Sequence, residues 1–277
     1  MEIPNNLESF RKELERKGYR NNSIDNYISY CSVFLNRYKE RKCPKHISEQ
    51  DIKDFLRGFT EHNTQRAYHS AIKAFYKYVV NQPNKFRYIE YVKRNRRLPI
   101  VLSPDEIQRM FNVCTNLKHK AIFAVLYACG LRVSEVINLR ISDIDGARSV
   151  IHIIEGKGGK DRQVMLPQSL LLLLRQYYLQ YRPKEYLFNG QSSLQYSSRS
   201  INEFLKDIAK KAGINNKRIY AHLIRHCTMT HMLEQGTDIS IIQKVAGHSS
   251  PKTTQLYTHI SNTLISRTHS PLSSLRL

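Results

Sequence analysis

Apolar side chains recur every three or four positions through the first 85 residues of the chain. This spacing places them on one face of an α-helix. The segments that show it are residues 7–17, 24–38, 49–58 and 68–79. Gly18, Pro44 and a polar turn at residues 61–63 separate these segments. The pattern therefore predicts an all-helical domain in which four helices bury one small core.

The pattern changes in the second part of the chain, where helical spacing alternates with two short strands. Ser103-Pro104-Asp105-Glu106 supplies a serine N-cap, a proline at the first helical position and a glutamate at the third. A second helix, over residues 118–128, ends at Gly130. Strands are predicted over residues 149–154 and 162–166, and the Gly- and Lys-rich segment between them is typical of a hairpin tip.

The remainder of the chain is predicted to be helical up to a polar tail. The further helices cover residues 168–181, 198–212, 221–235, 239–245 and 251–259. Residues 261–277 are weakly periodic and are predicted to form a tail with at most one short helix. The predicted fold class is mainly α: an all-helical N-terminal domain, followed by an α+β domain with a small β-hairpin.

A break in the fourth helix marks the end of the first domain. Asn81-Gln82-Pro83-Asn84 interrupts the helical spacing, and a basic run then leads to Pro99. We predict a helical domain over residues 1–90, a basic linker over residues 91–100, and a second domain with a C-terminal tail over residues 101–277.

The charge of the chain narrows the classes of partner. The 277 residues include 44 Lys and Arg against 23 Asp and Glu, which gives a formal net charge of +21. Positive charges in this excess repel one another unless a polyanion is near. Nucleic acid is therefore the favoured partner. A ribosome-associated or membrane-surface protein is the alternative.

Other sequence features exclude several classes of protein. The longest aliphatic run, residues 170–174, is far shorter than the roughly 18 residues that a membrane span needs. The N-terminus has neither the basic start nor the apolar core of a signal peptide. The five cysteines are scattered and form no C-x-x-C pair, which favours a reducing cytoplasm over a disulfide framework or a zinc ribbon.

The predicted linker carries four basic side chains at closely spaced positions. They are Lys93, Arg94, Arg96 and Arg97. Such a run is often an ordinary solvated surface, but a linker of this charge is also suited to lie along a phosphate backbone. Both interpretations stay open at this point.

The predicted hairpin tip is a first candidate for chemistry. Gly156-Lys157-Gly158-Gly159-Lys160 lacks the spacing of a nucleotide-binding phosphate loop, and a strand rather than a helix follows it. What remains is a tip that presents a lysine, for which an ordinary exposed lysine is the simpler interpretation.

A second candidate lies on the helix over residues 221–235. His222 and Arg225 are three positions apart, so they share a helix face and could hold a phosphate, with the arginine acting as a planar fork. His222 and His226 are four positions apart, as zinc ligands on a helix often are. Because the sequence offers no third ligand beside them, no metal site and no cofactor are expected.

Two further fragments are ambiguous when each is taken alone. Arg132 follows the helix-ending Gly130, and an ion pair with Glu135 would explain it. Residues 247–251, Gly-His-Ser-Ser-Pro, end one predicted helix and start the next, which carries Tyr257. A tyrosine at such a position is in most proteins a core residue.

The order of these fragments is specific, although no single fragment is. Arg132, the glycine-flanked Lys157, His222-x-x-Arg225, Gly247-His248 and then Tyr257 together resemble the tyrosine recombinase (phage integrase) family. The matching stretches are residues 130–140, 156–164, 222–226 and 242–259, within the second domain. The departures are mild, because Ile224 and Val245-Ala246, which stand where leucines are usual, keep apolar packing.

The resemblance implies a reaction and assigns the side chains to it. Tyr257 would attack the scissile phosphate of DNA and form a 3′-phosphotyrosyl bond, without metal or ATP. Arg132 and Arg225 would clamp the phosphate oxygens, and His248 would donate a further hydrogen bond. His222 would accept the proton of the tyrosine. Lys157 would protonate the leaving 5′-oxygen, with Lys160 as its nearby rival.

The resemblance also implies partners and leaves rival functions. The first domain would be a core-binding domain, the linker would cross the duplex, and four protomers would assemble on two specific recombination sites, alone or with a related recombinase. The chain is most similar to simple Xer-like enzymes, invertases and small transposon integrases. An inactive or accessory DNA-binding relative and a type IB topoisomerase-like enzyme are the alternatives.

Overall fold

The computed structural model divides the chain into two units, Met1–Arg96 and Arg97–Leu277. The structure describes residues 2–90, 100–154, 161–191, 193–247 and 254. Most of the predicted linker, residues 91–99, lies outside these ranges. The proposed division at residues 90 and 100 therefore stays a prediction.

The first unit contains the four predicted helices. They are α1 (Ile3–Arg16), α2 (Asn21–Arg37), α3 (Glu49–Arg57) and α4 (His62–Tyr78). The prediction of a turn at residues 61–63 is wrong in part, because α4 already begins at His62. Glu61 is the N-cap residue of this helix, and its carbonyl oxygen accepts a hydrogen bond from the backbone N–H of Gln65. Short 3-10 turns at Pro44–His46 and Pro83–Phe86 complete the unit.

Aromatic side chains dominate the core of the first unit. Phe10, Phe34, Phe75 and Tyr76 are fully buried, and Phe10 meets Phe75 edge-on at a centroid distance of 5.4 Å. Large rings bury much apolar surface per residue, so a few of them suffice for a small helical core. The apolar spacing of the sequence therefore corresponds to one packed helical core.

The second unit consists mainly of helices. They are α5 (Pro104–Val113), α6 (Leu117–Cys129), α7 (Val133–Asn138), α8 (Gln168–Tyr181), α9 (Ser198–Lys211), α10 (Ala221–Glu234) and α11 (Ile239–Ala246). In this unit, the predicted helices that fall within the described ranges are confirmed to within one or two residues. The predicted helix 251–259 lies outside the described residues except for Thr254, and the six-residue α7 was not predicted.

A three-stranded antiparallel sheet completes the second unit. Its strands are β1 (Ile144–Asp145), β2 (Val150–Ile153) and β3 (Arg162–Met165), in the order β1-β2-β3. The predicted hairpin is confirmed, since Ile153 pairs with Arg162 where β2 ends and β3 begins. The two-residue β1 is too short to leave a periodic signal in the sequence.

Helix α6 lies at the centre of the second unit. Six consecutive residues, Ala121–Leu126, are buried, and the helix packs against α8, α9 and α10. A helix that is apolar all round must be covered on every side, which explains why the other helices surround it. In the part of the chain that the structure describes, every helix falls short of the length and apolar character that a membrane span requires.

Candidate active site

The end of α6 brings the first candidate residues together. Gly130 adopts a left-handed conformation with φ of +57° and ends the helix. Side chains rarely adopt this backbone conformation, which favours glycine, and a Cβ atom here would also force the terminal methyl of Met229 on α10, 2.1 Å away, to move. The carbonyl oxygen of Gly130 accepts a hydrogen bond from Arg225. The chain then turns at once into Arg132 and α7.

Arg132 is the N-cap residue of α7, and Glu135 fixes its position. Its Nη1 atom donates to Oε1 of Glu135 at 2.7 Å, while its backbone N–H donates to Oε2 at 2.8 Å. The ion pair considered from the sequence is therefore present. Nη2 of Arg132 also donates to the carbonyl oxygens of Ala246 and Gly247, each at 3.2 Å. The Arg132 side chain is 20% exposed.

Arg225 also donates to the carbonyl oxygen of Ala246. Its side chain is buried at 1% relative exposure, and its guanidinium donates to the carbonyl oxygens of Gly130 and Ala246. These two bonds fix the plane of the guanidinium. The structure thus brings Arg132 and Arg225, 93 positions apart in the sequence, to one carbonyl oxygen.

Arg162 belongs to the same cluster, although the sequence analysis did not identify it. Its two terminal nitrogens contact both oxygens of Glu135 at 2.9 and 2.7 Å, and its Nε atom donates to the carbonyl oxygen of Val245 at 2.9 Å. The only signal in the sequence was its place at the start of the predicted strand 162–166. A position at the start of a strand does not indicate an ion pair with Glu135, which lies 27 positions away in the sequence.

The buried carboxylate of Glu135 stays ionised among these arginines. Burial alone would raise its pKa, but the hydrogen bonds and charges of Arg162 and Arg132 outweigh burial and lower the pKa to about 2. Glu135 therefore carries a full negative charge at neutral pH and serves as a fixed anchor for two guanidinium groups.

This anchor predicts a pH dependence of stability. Because the pKa of Glu135 is lower in the folded chain than its ordinary value of 4.5, its contribution is fully present above pH 4.5 and is lost as the pH falls towards 2. Within that window it adds up to about 1.4 kcal/mol per pH unit to the slope of the unfolding free energy. We expect a Glu135→Gln variant to lose this share of the slope in urea unfolding measured from pH 2 to 6. An unchanged slope would contradict the role of Glu135 as an ionised anchor.

The C-terminal end of α11 is the point where the three arginines meet. Helix ends leave carbonyl oxygens without helical partners, and the negative end of the helix dipole favours cations there. The Val245 carbonyl accepts from Arg162. The Ala246 carbonyl accepts from both Arg132 and Arg225, and the Gly247 carbonyl accepts from Arg132. This concentration of guanidinium groups makes the end of α11 suited to bind an anion.

Two histidines of α10 extend this arrangement. His222 is exposed, shares a helix face with Arg225, and its ring contacts the ring of His226 at a centroid distance of 4.4 Å. Burial, together with the charges of His222 and Arg225, lowers the pKa of His226 to about 4. His226 is therefore neutral at physiological pH. Across the described ranges, no three side chains of His, Cys, Asp or Glu gather into a metal site.

The remaining predicted site residues lie outside the described residues. They are Lys93, Arg94, Arg96, Arg97, Lys157, Lys160, His248 and Tyr257. Their neighbours along the chain are described in part. Lys157 and Lys160 belong to the segment that connects β2 to β3, and His248 directly follows Gly247 at the end of α11. Thr254, three positions before Tyr257, is buried at 1% relative exposure.

Two family models match the chain. Residues 101–263 match the phage integrase family, and residues 7–85 match the phage integrase N-terminal SAM-like domain. The first match covers more than half of the chain and includes every residue of the arginine cluster. The second match covers most of the four-helix unit, from within α1 to residue 85.

Curated relatives carry the names of recombinases. Tyrosine recombinase XerA of Pyrococcus horikoshii is 33% identical over 265 residues, which is 92% of this chain and 88% of that protein. The y4qK integrase/recombinase of Sinorhizobium fredii is 40% identical over 183 residues. That alignment covers 66% of this chain and 59% of the relative, so the chain spans less than two thirds of the length of y4qK.

Solved structures show the same architecture. The XerA recombinase crystal structure is 30% identical, with a TM-score of 0.57 over 97% of this chain and all of that chain. The XerH site-specific recombinase, bound to its palindromic difH substrate after cleavage, gives a TM-score of 0.75 over 88% of this chain and 78% of that chain. At 21% identity this second likeness concerns the fold alone. Together with the family models, these matches lead to one conclusion: the chain belongs to the phage integrase family and is a site-specific tyrosine recombinase of the Xer-like type.

Proposed function

We propose that this chain cuts and rejoins duplex DNA at specific sites, with Tyr257 as the nucleophile and with Arg132 and Arg225 as the clamp on the scissile phosphate. The observation that carries the assignment is the shared contact of both arginines with the carbonyl oxygen of Ala246. That contact holds two guanidinium groups beside the position where His248 follows α11. A phosphate-binding site with this composition suits phosphoryl transfer.

The clamp lowers the barrier by electrostatics. During in-line displacement, negative charge spreads over the equatorial oxygens of the phosphorus, and cations already in place stabilise it. Arg132 and Arg225 are held in fixed orientations by backbone carbonyls, so they need little reorganisation during the reaction. His248 donates one more hydrogen bond to the same oxygens. Burial of Arg225 strengthens its field, because little water competes for it.

Two protons must move while the phosphorus changes partners. A phenol has an ordinary pKa of about 10, so Tyr257 must lose its proton as it attacks, and His222 accepts it. Lys157 gives a proton to the leaving 5′-oxygen. The bond from phosphorus to the 5′-oxygen breaks as the bond to the tyrosine oxygen forms. A 5′-hydroxyl of another strand then reverses both steps, and the phosphate bond energy is conserved throughout.

The proposed partner is double-stranded DNA that carries two recombination sites, with four protomers assembled on them in the cytoplasm. The XerH structure is of a recombinase bound to a palindromic difH substrate, which supports DNA as the partner of this chain as well. The basic linker residues, with Lys160, contact the phosphate backbone in this assignment. The net charge of +21 supplies the sequence-independent part of the affinity.

A trapping experiment finds the target and tests the reaction. The wild-type chain is mixed with nicked duplexes of randomised sequence, in which cleavage beside the nick releases a short fragment and blocks rejoining. The covalent adducts are then purified under denaturing conditions and the DNA is sequenced. A shared sequence in the adducts is expected, and adducts on unrelated sequences alone would contradict site specificity.

A plasmid assay then separates the proposed function from its two rivals. A supercoiled plasmid with two copies of the recovered site is incubated with the chain, without metal ions or ATP. Recombinant products are expected. Relaxation of supercoils without recombinants would indicate a topoisomerase-like enzyme. Binding without either product would indicate an accessory protein.

The proposed contacts of the linker predict a change in the salt dependence of binding. For duplex DNA, each phosphate contact contributes about −0.9 to the slope of log K against log salt concentration. We therefore expect a variant with Arg96→Gln and Arg97→Gln to have a slope shallower by roughly 1.8, as measured by fluorescence anisotropy on the recovered site. The control changes Lys12 and Arg16 to Gln, whose charges are already paired with carboxylates on α1. Equal slopes for the two variants would contradict the assignment.

A further inference from the structure

Arg162 connects three parts of the second unit through one side chain. It starts β3, it binds the carboxylate of Glu135 on α7, and it donates to the carbonyl of Val245 near the end of α11. Its side chain is 10% exposed and that of Glu135 is 7% exposed. All three nitrogens of the Arg162 guanidinium donate to Glu135 or to the Val245 carbonyl, so contacts within the protein occupy the whole group.

Each oxygen of Glu135 accepts one hydrogen bond from Arg162 and one from Arg132. Oε1 accepts from Nη1 of each arginine, at 2.9 Å from Arg162 and 2.7 Å from Arg132. Oε2 accepts from Nη2 of Arg162 at 2.7 Å and from the backbone N–H of Arg132 at 2.8 Å. The bidentate pair with Arg162 is thus the stronger of the two side-chain contacts.

This sharing determines how strongly Arg132 can act on a phosphate. Without Arg162, Arg132 would be the main partner of the buried Glu135 carboxylate. The carboxylate would then offset the positive charge of Arg132 and weaken its attraction for a bound anion. With Arg162 in place, Glu135 is already neutralised. The positive charge of Arg132 is then available to the phosphate, while Glu135 still fixes its direction.

The contact with Val245 adds a second constraint. The Nε hydrogen bond holds the end of α11, and the following Gly247 has φ of +59°. A Cβ atom at Gly247 would lie 3.1 Å from Cδ of Arg162, so the glycine leaves room for the arginine to lie along the helix end. Arg162 thereby fixes the helix end that accepts from both Arg132 and Arg225.

We propose that Arg162 is a positioning residue of the strand-exchange reaction, which neutralises Glu135 and holds the end of α11 so that Arg132 can act on the scissile phosphate. This inference rests on the function proposed above. Arg162 itself touches no reacting atom in this assignment, so its effect on the rate must pass through Arg132.

The test is a double-mutant cycle on the rate of adduct formation. Wild type, Arg162→Met, Arg132→Ala and the double variant are compared on the nicked duplex recovered by trapping, at saturating DNA. We expect Arg162→Met to form the adduct roughly 10- to 100-fold more slowly, as a small misplacement of a catalytic group does. Because the effect passes through Arg132, the double variant is expected to be nearly as active as Arg132→Ala alone.

Two further variants keep the result interpretable. Arg162→Lys retains the charge but cannot bind both Glu135 oxygens and the Val245 carbonyl together, so its rate is expected to lie between those of wild type and Arg162→Met. If Arg162→Met does not fold, Arg162→Lys takes its place in the double-mutant cycle. Lys217→Met removes another partly buried ion pair, with Glu106 at 2.7 Å, and is expected to keep the wild-type rate.

Three outcomes overturn the inference. Wild-type rates for the Arg162 variants would exclude a positioning role, and so would losses that multiply in the double variant. Both outcomes leave the proposed function intact, because wild type still forms its Tyr257-dependent adduct. If wild type forms no such adduct on any duplex, the proposed function fails, and the role of Arg162 fails with it.

Discussion

A Tyr257→Phe variant is expected to bind the recovered duplex with wild-type affinity and to form no covalent protein–DNA adduct. The change removes a single hydroxyl oxygen, which is the atom that the proposed mechanism joins to phosphorus. Because nothing else in the cluster carries out that step, the loss is complete rather than partial. The measurement is a denaturing gel with labelled nicked duplex, alongside a gel-shift titration for affinity.

The control for this experiment is another tyrosine of the same unit. Tyr178 on α8 is 44% exposed, and we expect Tyr178→Phe to form adduct at the wild-type rate. A persistent adduct with Tyr257→Phe would mean that another of the 17 tyrosines of the chain is the nucleophile. In that case, sequencing the peptide attached to DNA would identify it.

Alanine at either clamp arginine is expected to lower the rate of cleavage by about 10²- to 10³-fold, with a much smaller effect on binding. Arg132 and Arg225 act on charge that develops in the transition state, so their removal affects the reaction more than the affinity for DNA. The measurement is single-turnover adduct formation at saturating DNA. The control is Arg199→Ala, whose partner Glu203 lies on the same exposed helix face of α9.

The burial of Arg225 calls for a second variant. Alanine there leaves the carbonyls of Gly130 and Ala246 without this donor, which also costs stability. Arg225→Gln keeps a donor for one carbonyl but removes the charge, so a similar loss of rate with a more stable chain is expected. A glutamine variant that cleaves at the wild-type rate would show that the Arg225 charge is not part of the clamp.

Periodicity and caps sufficed to predict most of the helices. The apolar spacing of the sequence located α1 to α4, and the Ser103–Glu106 capping box located the start of α5, because these signals are local. Helix α7 and strand β1 were missed for the same reason. With six and two residues they are too short to show a period, and tertiary contacts determine them.

The same difference between local signals and long-range contacts explains which residues of the candidate site the sequence predicted. Arg132, His222 and Arg225 were identified by the order of short motifs along the chain, and the structure places the two arginines on one carbonyl. Arg162 escaped notice because its partners lie 27 and 83 positions away, and no local pattern records such distances. The catalytic roles of all six residues, Lys157, His248 and Tyr257 included, stay predictions.

The arginine cluster makes its contacts with α11 through backbone carbonyls, and this determines which changes the site tolerates. The side chains of Val245 and Ala246 take no part in those hydrogen bonds, so apolar substitutions there leave every acceptor in place. A one-residue insertion in α11 is different, because it rotates the helix end by about 100° and turns all three carbonyls away from their donors. What the chain must preserve at this point is the length and phase of a helix, more than the identity of the residues in it.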